Sequence, residues 1–193
     1  MKSFAISGSP RENVGKRDAK ELRYQGLVPA VLYGGSTQTH FSVSAADLRH
    51  VVYTPVVHFI DITVAGVTTQ AIIKDMQFHP LTEQLIHIDF LQLDAAKPVT
   101  IEIPVKLTGT SPGVKVGGKL VQKLRKLRVK ALPKDHLDNI EVSIEALEVG
   151  KSVKVNEIKF PNLTITNAQE DTIVSVTTSR ALRQAEQEAA KGK

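Results

Sequence analysis

The sequence predicts a mainly β chain with minor α content: two β-rich domains followed by a helical tail. Three observations carry this expectation. Aliphatic β-formers abound while aromatics are only 5% and Trp is absent, a balance that favours short strands over a helical bundle or a disordered chain. Short alternating apolar–polar runs recur between turns carrying Gly, Pro, Asn or Asp. The length, 193 residues, suits one large or two small domains, and Asp94-Ala-Ala-Lys-Pro98 reads as a linker between two halves.

In the first half, residues 1–94, Phe4-Ala-Ile-Ser7 alternates as a strand. KRDAKELRY, Lys16 to Tyr24, consists of helix formers and stops before Gly26, a natural residue after a helix C-terminus. Pro29–Tyr33 reads as a strand closed by Gly34-Gly35. Ser44 ahead of AADLRHVV, with Asp47 three residues on, resembles a capping box and predicts a short helix. HFIDITV and TTQAIIKDM flank Ala65-Gly66-Val67 as a hairpin, and LIHIDFLQL closes the half as another alternating strand.

The second half, residues 95–179, reads as strand after strand: VTIEIPVKL, LRVKAL, NIEVSIEAL, SVKVNEI, LTITN and TIVSVTTS. Their short spacing predicts an antiparallel sandwich or barrel. Residues 180–193, RALRQAEQEAAKGK, read as a terminal helix.

The absence of cysteine removes disulfides, thiolate metal sites and Cys nucleophiles. The first residues lack the apolar core of a secretory signal, and no apolar run approaches the roughly 20 residues of a membrane span. A cytoplasmic, soluble protein is expected, with neither membrane nor small-molecule substrate as partner. The net charge of +5 invites a polyanion but is unevenly spread. Residues 1–94 carry 8 basic against 9 acidic groups, residues 95–179 carry 13 against 9, and the tail carries 4 against 2. A polyanion site in the first half must therefore rest on local clusters.

Several such clusters are present. Arg11, Lys16, Arg17, Lys20 and Arg23 gather near the N-terminus, and a helix from Lys16 places Lys16, Lys20 and Arg23 on one face. That row could track phosphates or simply be solvated, since Asp18 and Glu21 interrupt it. Tyr33 beside two glycines could lie against a ribose or base, or be half-buried core. Gln77-Phe78-His79-Pro80 precedes His87-Ile88-Asp89-Phe90; on a strand His87 and Asp89 share one face while Ile88 and Phe90 take the other. The pair could bind RNA edges or 2′-hydroxyls, could join His79 around a metal, could be a catalytic His–Asp pair, though no nucleophile is nominated, or could be a satisfied surface pair.

Gly113–Lys119 meets a phosphate-loop spacing, but Leu120 stands where a magnesium-binding hydroxyl is required. A nucleotide site is rejected and no cofactor is expected. Finally, Ile103–Lys134 holds no acidic residue. Its Lys115, Lys119, Lys123, Arg125, Lys126, Arg128 and Lys130 read as a basic stripe on a strand, available for salt-sensitive phosphate contact or serving as protective edge lysines.

Together, RENVGKRDAKELRYQGLVPAVLYGG and DMQFHPLTEQLIHIDFLQL resemble the N-terminal domain of the bacterial large-subunit ribosomal proteins that bind 5S rRNA. The second half, with GVKVGGKL, ALPKDHLDNIEVSIEALEVGKSVKV and TIVSV, is similar to the C-terminal β domain of the long form, the general stress protein Ctc family. The resemblance spans residues 3–178. It implies a six-stranded closed barrel with short helices, similar to a tRNA-synthetase anticodon-binding domain, gripping a 5S rRNA helix through its minor groove. By position, the implied contacts are Arg11, Lys16, Lys20, Arg23, Tyr33, Gln77, His79, His87 and Asp89, with neighbouring ribosomal proteins as further partners and no catalysis.

Two positions depart from that family's pattern: Glu21 and Phe78 stand where the family commonly carries Arg. Two readings from other classes remain beside this one. The first is a stress-associated protein–protein module using exposed β edges; the second is a metal-dependent enzyme at His79, His87 and Asp89.

Overall fold

Alternation of apolar and polar side chains closes the first half into a barrel. The computed structural model describes residues 3–35, 37–158, 160 and 162–178. These fall into two units, one reaching Ile101 and taking in Leu132–His136, the other formed by Glu102–Ala131 and the residues from Leu137 onward. The expected helix over 180–193 lies outside the described residues. Among the described residues, no helix is long and apolar enough to cross a membrane.

In the first unit the elements run β1 Ser3–Pro10, α1 Lys16–Tyr24, β2 Leu27–Tyr33, β3 Thr39–Ser44, α2 Ala45–Val52, β4 Phe59–Val64, β5 Val67–Phe78 and β6 Leu85–Gln92. The six strands close in the order β1-β3-β2-β6-β5-β4. β1 pairs β4 in parallel, and β2 pairs β6 in parallel, while the other neighbours are antiparallel. The helix expected over Lys16–Tyr24 is present with those bounds, and the hairpin expected at Ala65-Gly66 joins β4 to β5. Both turn residues have positive φ, 51° and 82°, as a two-residue hairpin turn requires. The Ser44 hydroxyl accepts a hydrogen bond from the Ala46 amide and caps α2.

Inward-facing residues of the strands fill the barrel, among them Ala30, Leu32, Ile60, Ile62, Ile88 and Phe90. Leu48, Val51 and Val52 on one side of α2 pack onto the same core. The Phe41 and Phe90 rings stack inside with centroids 5.8 Å apart. α1, by contrast, buries no residue and rides on the surface.

The second half comprises β7 Val99–Thr108, α3 Pro112–Lys115, β8 Lys119–Gln122, β9 Lys126–Ala131, β10 Ile140–Ser143, β11 Ser152–Lys154, β12 Thr164–Ile165 and β13 Thr172–Thr177, with 3-10 turns at Pro133–Asp135 and Val155–Glu157. The strands form a four-stranded sheet, β10-β7-β9-β12, and a three-stranded sheet, β11-β13-β8. β7 and β10 pair in parallel; the other pairs described are antiparallel. A core of Ile144, Leu147, Val174 and Val176 is completed by Leu107, Leu120, Val149 and Val153.

The phosphate-loop-like spacing has a packing explanation. A Cβ on Gly113 would lie 2.7 Å from backbone atoms of Glu148 and Val149, and the Gly118 amide donates to the Gly113 carbonyl at 2.9 Å. These glycines let two backbone segments touch. The basic run also divides differently from the single strand expected. β8 ends at Gln122 in the three-stranded sheet, and β9 starts at Lys126 in the other. The Gln122 side-chain amide donates to the Val105 and Leu124 carbonyls at 3.4 and 3.3 Å, tying down the crossover.

Phe90 is fully buried, so Phe90→Ala is expected to destabilise the barrel by about 3–5 kcal/mol. Urea denaturation followed by circular dichroism checks this, and a loss below about 1 kcal/mol contradicts the packing described.

Candidate nucleic-acid interface

Strand register assembles the candidate site on the outside of the barrel. On β6, Ile88 and Phe90 are buried in the core while His87 and Asp89 stay partly exposed on the outer face, as the alternation predicts. On β2, Ala30 and Leu32 point inward, which turns Val31 and Tyr33 outward. Val31 lies opposite Asp89 in the parallel β2–β6 pair, with Tyr33 opposite Leu91.

β5 requires an irregularity to contribute. Ala71 and Ile73 face the core, so strict alternation would send Asp75 and Gln77 inward as well. The register shifts between Ile73 and Asp75, and Lys74 is the extra residue. Past this bulge Met76 packs on the core, while Asp75 and Gln77 are exposed opposite Asp89 and His87. Tyr33, Asp89, His87, Asp75 and Gln77 thus share one outer face across three adjacent strands.

Within this stripe His87 Nδ1 lies 2.7 Å from Asp89 Oδ1, with both side chains partly exposed. The carboxylate accepts a hydrogen bond from Nδ1–H and so fixes the orientation of the ring. The Tyr33 phenol is pushed above its ordinary value of 10.0, chiefly by burial and then by the negative charges of Asp89 and Asp75. Asp75 was not anticipated from sequence; nothing in the spacing of β5 marks where its alternation resets.

Arg23 joins the stripe from α1: its Nε donates to the Ile86 carbonyl at 3.0 Å, one residue from His87. Lys16 and Lys20 are exposed on the same helix, and Lys20 Nζ sits 5.7 Å from the centre of the Tyr24 ring. Arg11 has a different setting. Its side chain is only 8% exposed and meets Asp18 at 2.5 Å, and it also donates to the Asn13 carbonyl at 3.3 Å. It therefore ties the loop after β1 to the start of α1. Asp18, which from sequence only interrupts the basic row, is its partner.

His79 stands in the β5–β6 turn, where its Nδ1 accepts from the amides of Leu81 (3.3 Å) and Thr82 (3.2 Å). Its own amide donates to the Gln84 carbonyl at 2.8 Å. This places the ring proton on Nε2 and gives His79 a turn-shaping job. His79 does not join His87 and Asp89 as a ligand set: among the described residues, no group of three or more His, Asp or Glu could hold a metal ion.

The seven residues of the basic stripe expected in the second half are all exposed. Lys115 lies on α3, Lys119 on β8, and Lys123 and Arg125 in the crossover; Lys126, Arg128 and Lys130 line one face of β9. Arg128 is paired there with Glu102 at 3.1 Å.

Residues 6–90 match the Ribosomal L25p family, and residues 98–180 match the C-terminal domain of ribosomal protein TL5. The chain is 48% identical over 191 residues to the large ribosomal subunit protein bL25 of Cytophaga hutchinsonii, covering 99% of this chain and all of that one. Identity to the bL25 proteins of Phocaeicola vulgatus and Porphyromonas gingivalis is 44% and 43%, in each case over 95% of this chain and 96% of the relative. The chain belongs to the Ribosomal L25p family, in a two-domain form, and it is not an enzyme.

The Tyr33 environment is open to titration. Because its folded pKa is raised, its contribution to stability is intact below about 10 and is lost as pH climbs from there through the raised value. Asp89→Asn is expected to lower that value towards 10, with burial keeping it above, in a pH titration of the Tyr33 ring signals. A titration midpoint unmoved by Asp89→Asn contradicts the geometry of the stripe.

Proposed function

We propose that this chain is a structural, non-catalytic component of the bacterial large ribosomal subunit, where residues 1–94 grip 5S rRNA and residues 95–179 form an accessory β domain. The observation that carries the RNA reading is the convergence of Tyr33, Gln77, His87 and Asp89 on one face with Arg23 beside them. The names of its relatives support the ribosomal setting.

The face divides its labour by charge. Asp75 and Asp89 sit opposite one another, and carboxylates repel phosphate while accepting from 2′-hydroxyls and base amino groups. The stripe therefore suits the hydroxyl-lined minor groove of an RNA helix. Phosphates belong to Lys16, Lys20 and the free nitrogens of Arg23, which position the duplex without reading it. Arg11 acts from behind by holding α1 through Asp18, and His79 by shaping the adjoining turn. In the second half, Lys126, Arg128 and Lys130 offer a second phosphate-contacting row.

Binding to 5S rRNA across a salt titration tests this. Lys16→Ala with Lys20→Ala is expected to weaken binding and reduce the salt slope by nearly one unit per lost phosphate contact. His87→Ala with Asp89→Ala is expected to weaken binding about ten- to a hundredfold with little change in slope, and to erase protection at one internal site of the RNA. Lys126→Ala, Arg128→Ala and Lys130→Ala together test the second row through the slope alone. Absence of binding at low salt by the unaltered chain removes the RNA reading.

A further inference from the structure

Beside the stripe lies a cavity of about 270 Å³ that the RNA reading so far leaves unused. Its apolar walls include Leu27, Leu48, Val52 and Leu85, and the exposed residues Arg23, Arg49, Tyr53 and His79 also line it. None of the lining residues is acidic. Tyr53 is 63% and Phe78 40% exposed, and their rings lie 6.3 Å apart, tilted at 52°.

We propose that this cavity, with the Tyr53–Phe78 pair at its side, is a binding site for one unstacked RNA base and its phosphate. A flat, largely apolar ligand with polar edges and an attached anion fits each part of the lining. The leucines and valine take the ring, the aromatics offer a stacking face, and two guanidiniums offer donors to phosphate. His79, whose Nδ1 is engaged by two backbone amides, presents Nε2–H, and the Gln84 side chain adds an amide that can donate to or accept from a base edge. An apolar side chain from a neighbouring protein would fill the walls but leave the two guanidiniums and the imidazole donor unused. Arg23 connects the two regions, because it lines the cavity and is anchored on Ile86 next to His87.

The site rests on the reading of the stripe as an RNA surface, so two tests with separate outcomes are needed. In the first, AMP, GMP, CMP and UMP are titrated into the full chain while the methyl signals of Leu27, Leu48 and Leu85 are followed by NMR. Saturable shifts with a nucleotide, absent with inorganic phosphate alone and lost in Tyr53→Ala/Phe78→Ala, are expected. In the second, Tyr53→Ala/Phe78→Ala, checked for intact fold by circular dichroism, is expected to lose about five- to a hundredfold in 5S rRNA affinity at unchanged salt slope, as removal of a base–aromatic stack does.

Unchanged affinity in a chain whose unaltered form binds 5S rRNA overturns the base site and leaves the RNA reading standing. So do methyl shifts produced by an apolar peptide and by no nucleotide. If the unaltered chain fails to bind 5S rRNA, the mononucleotides decide: shifts uphold the site and silence overturns it.

Discussion

One extra residue in β5 determines what the barrel shows to its surroundings. A strand that kept strict alternation through Lys74 would carry Asp75 and Gln77 into an apolar core, where an unpaired carboxylate and amide are costly to bury. The bulge at that position turns both outward and returns Met76 to the interior. Bulges re-aim side chains in this way while leaving the rest of a sheet in register. Here the re-aimed residues meet His87 and Asp89 on the neighbouring strand, and Tyr33 joins them through the parallel β2–β6 pair.

Closure of the barrel gives that face its rigidity. With each strand of the first unit paired on both sides, the stripe rests on a surface without free edges, and the buried Phe41–Phe90 stack lies within the same barrel. The cationic helix is held differently. α1 buries nothing of its own and is fastened by polar contacts, Arg11 to Asp18 at its start and Arg23 to the Ile86 carbonyl near its end. Arg11, from the same N-terminal basic cluster, and Arg23, from the row itself, are therefore also what fixes the row in place.

Much of this was legible in the sequence, and the parts that were not have identifiable causes. Helix formers ending before Gly26 gave α1 its bounds, and period-two alternation placed His87 and Asp89 outside with Ile88 and Phe90 inside. The closed six-stranded barrel came from the family resemblance, since strand pairing between distant segments is invisible to local pattern. Asp75 stayed hidden because a bulge has no composition of its own. The role of Asp18 was hidden too, since only folding brings Arg11 against it. In the second half, the apolar–basic alternation through residues 121–132 suggested one strand, whereas the chain changes sheets at Lys123–Arg125. The parallel β7–β10 pair likewise lies beyond what turn spacing can indicate.

A single register-built face of the barrel is the surface proposed to meet RNA. Amide hydrogen exchange of the whole chain, with and without 5S rRNA, probes that face directly. Slowed exchange concentrated in α1 and in residues 31–33, 75–78 and 86–89 is the expected result. Protection confined to β1, β3 and β4, with those segments unchanged, would contradict it.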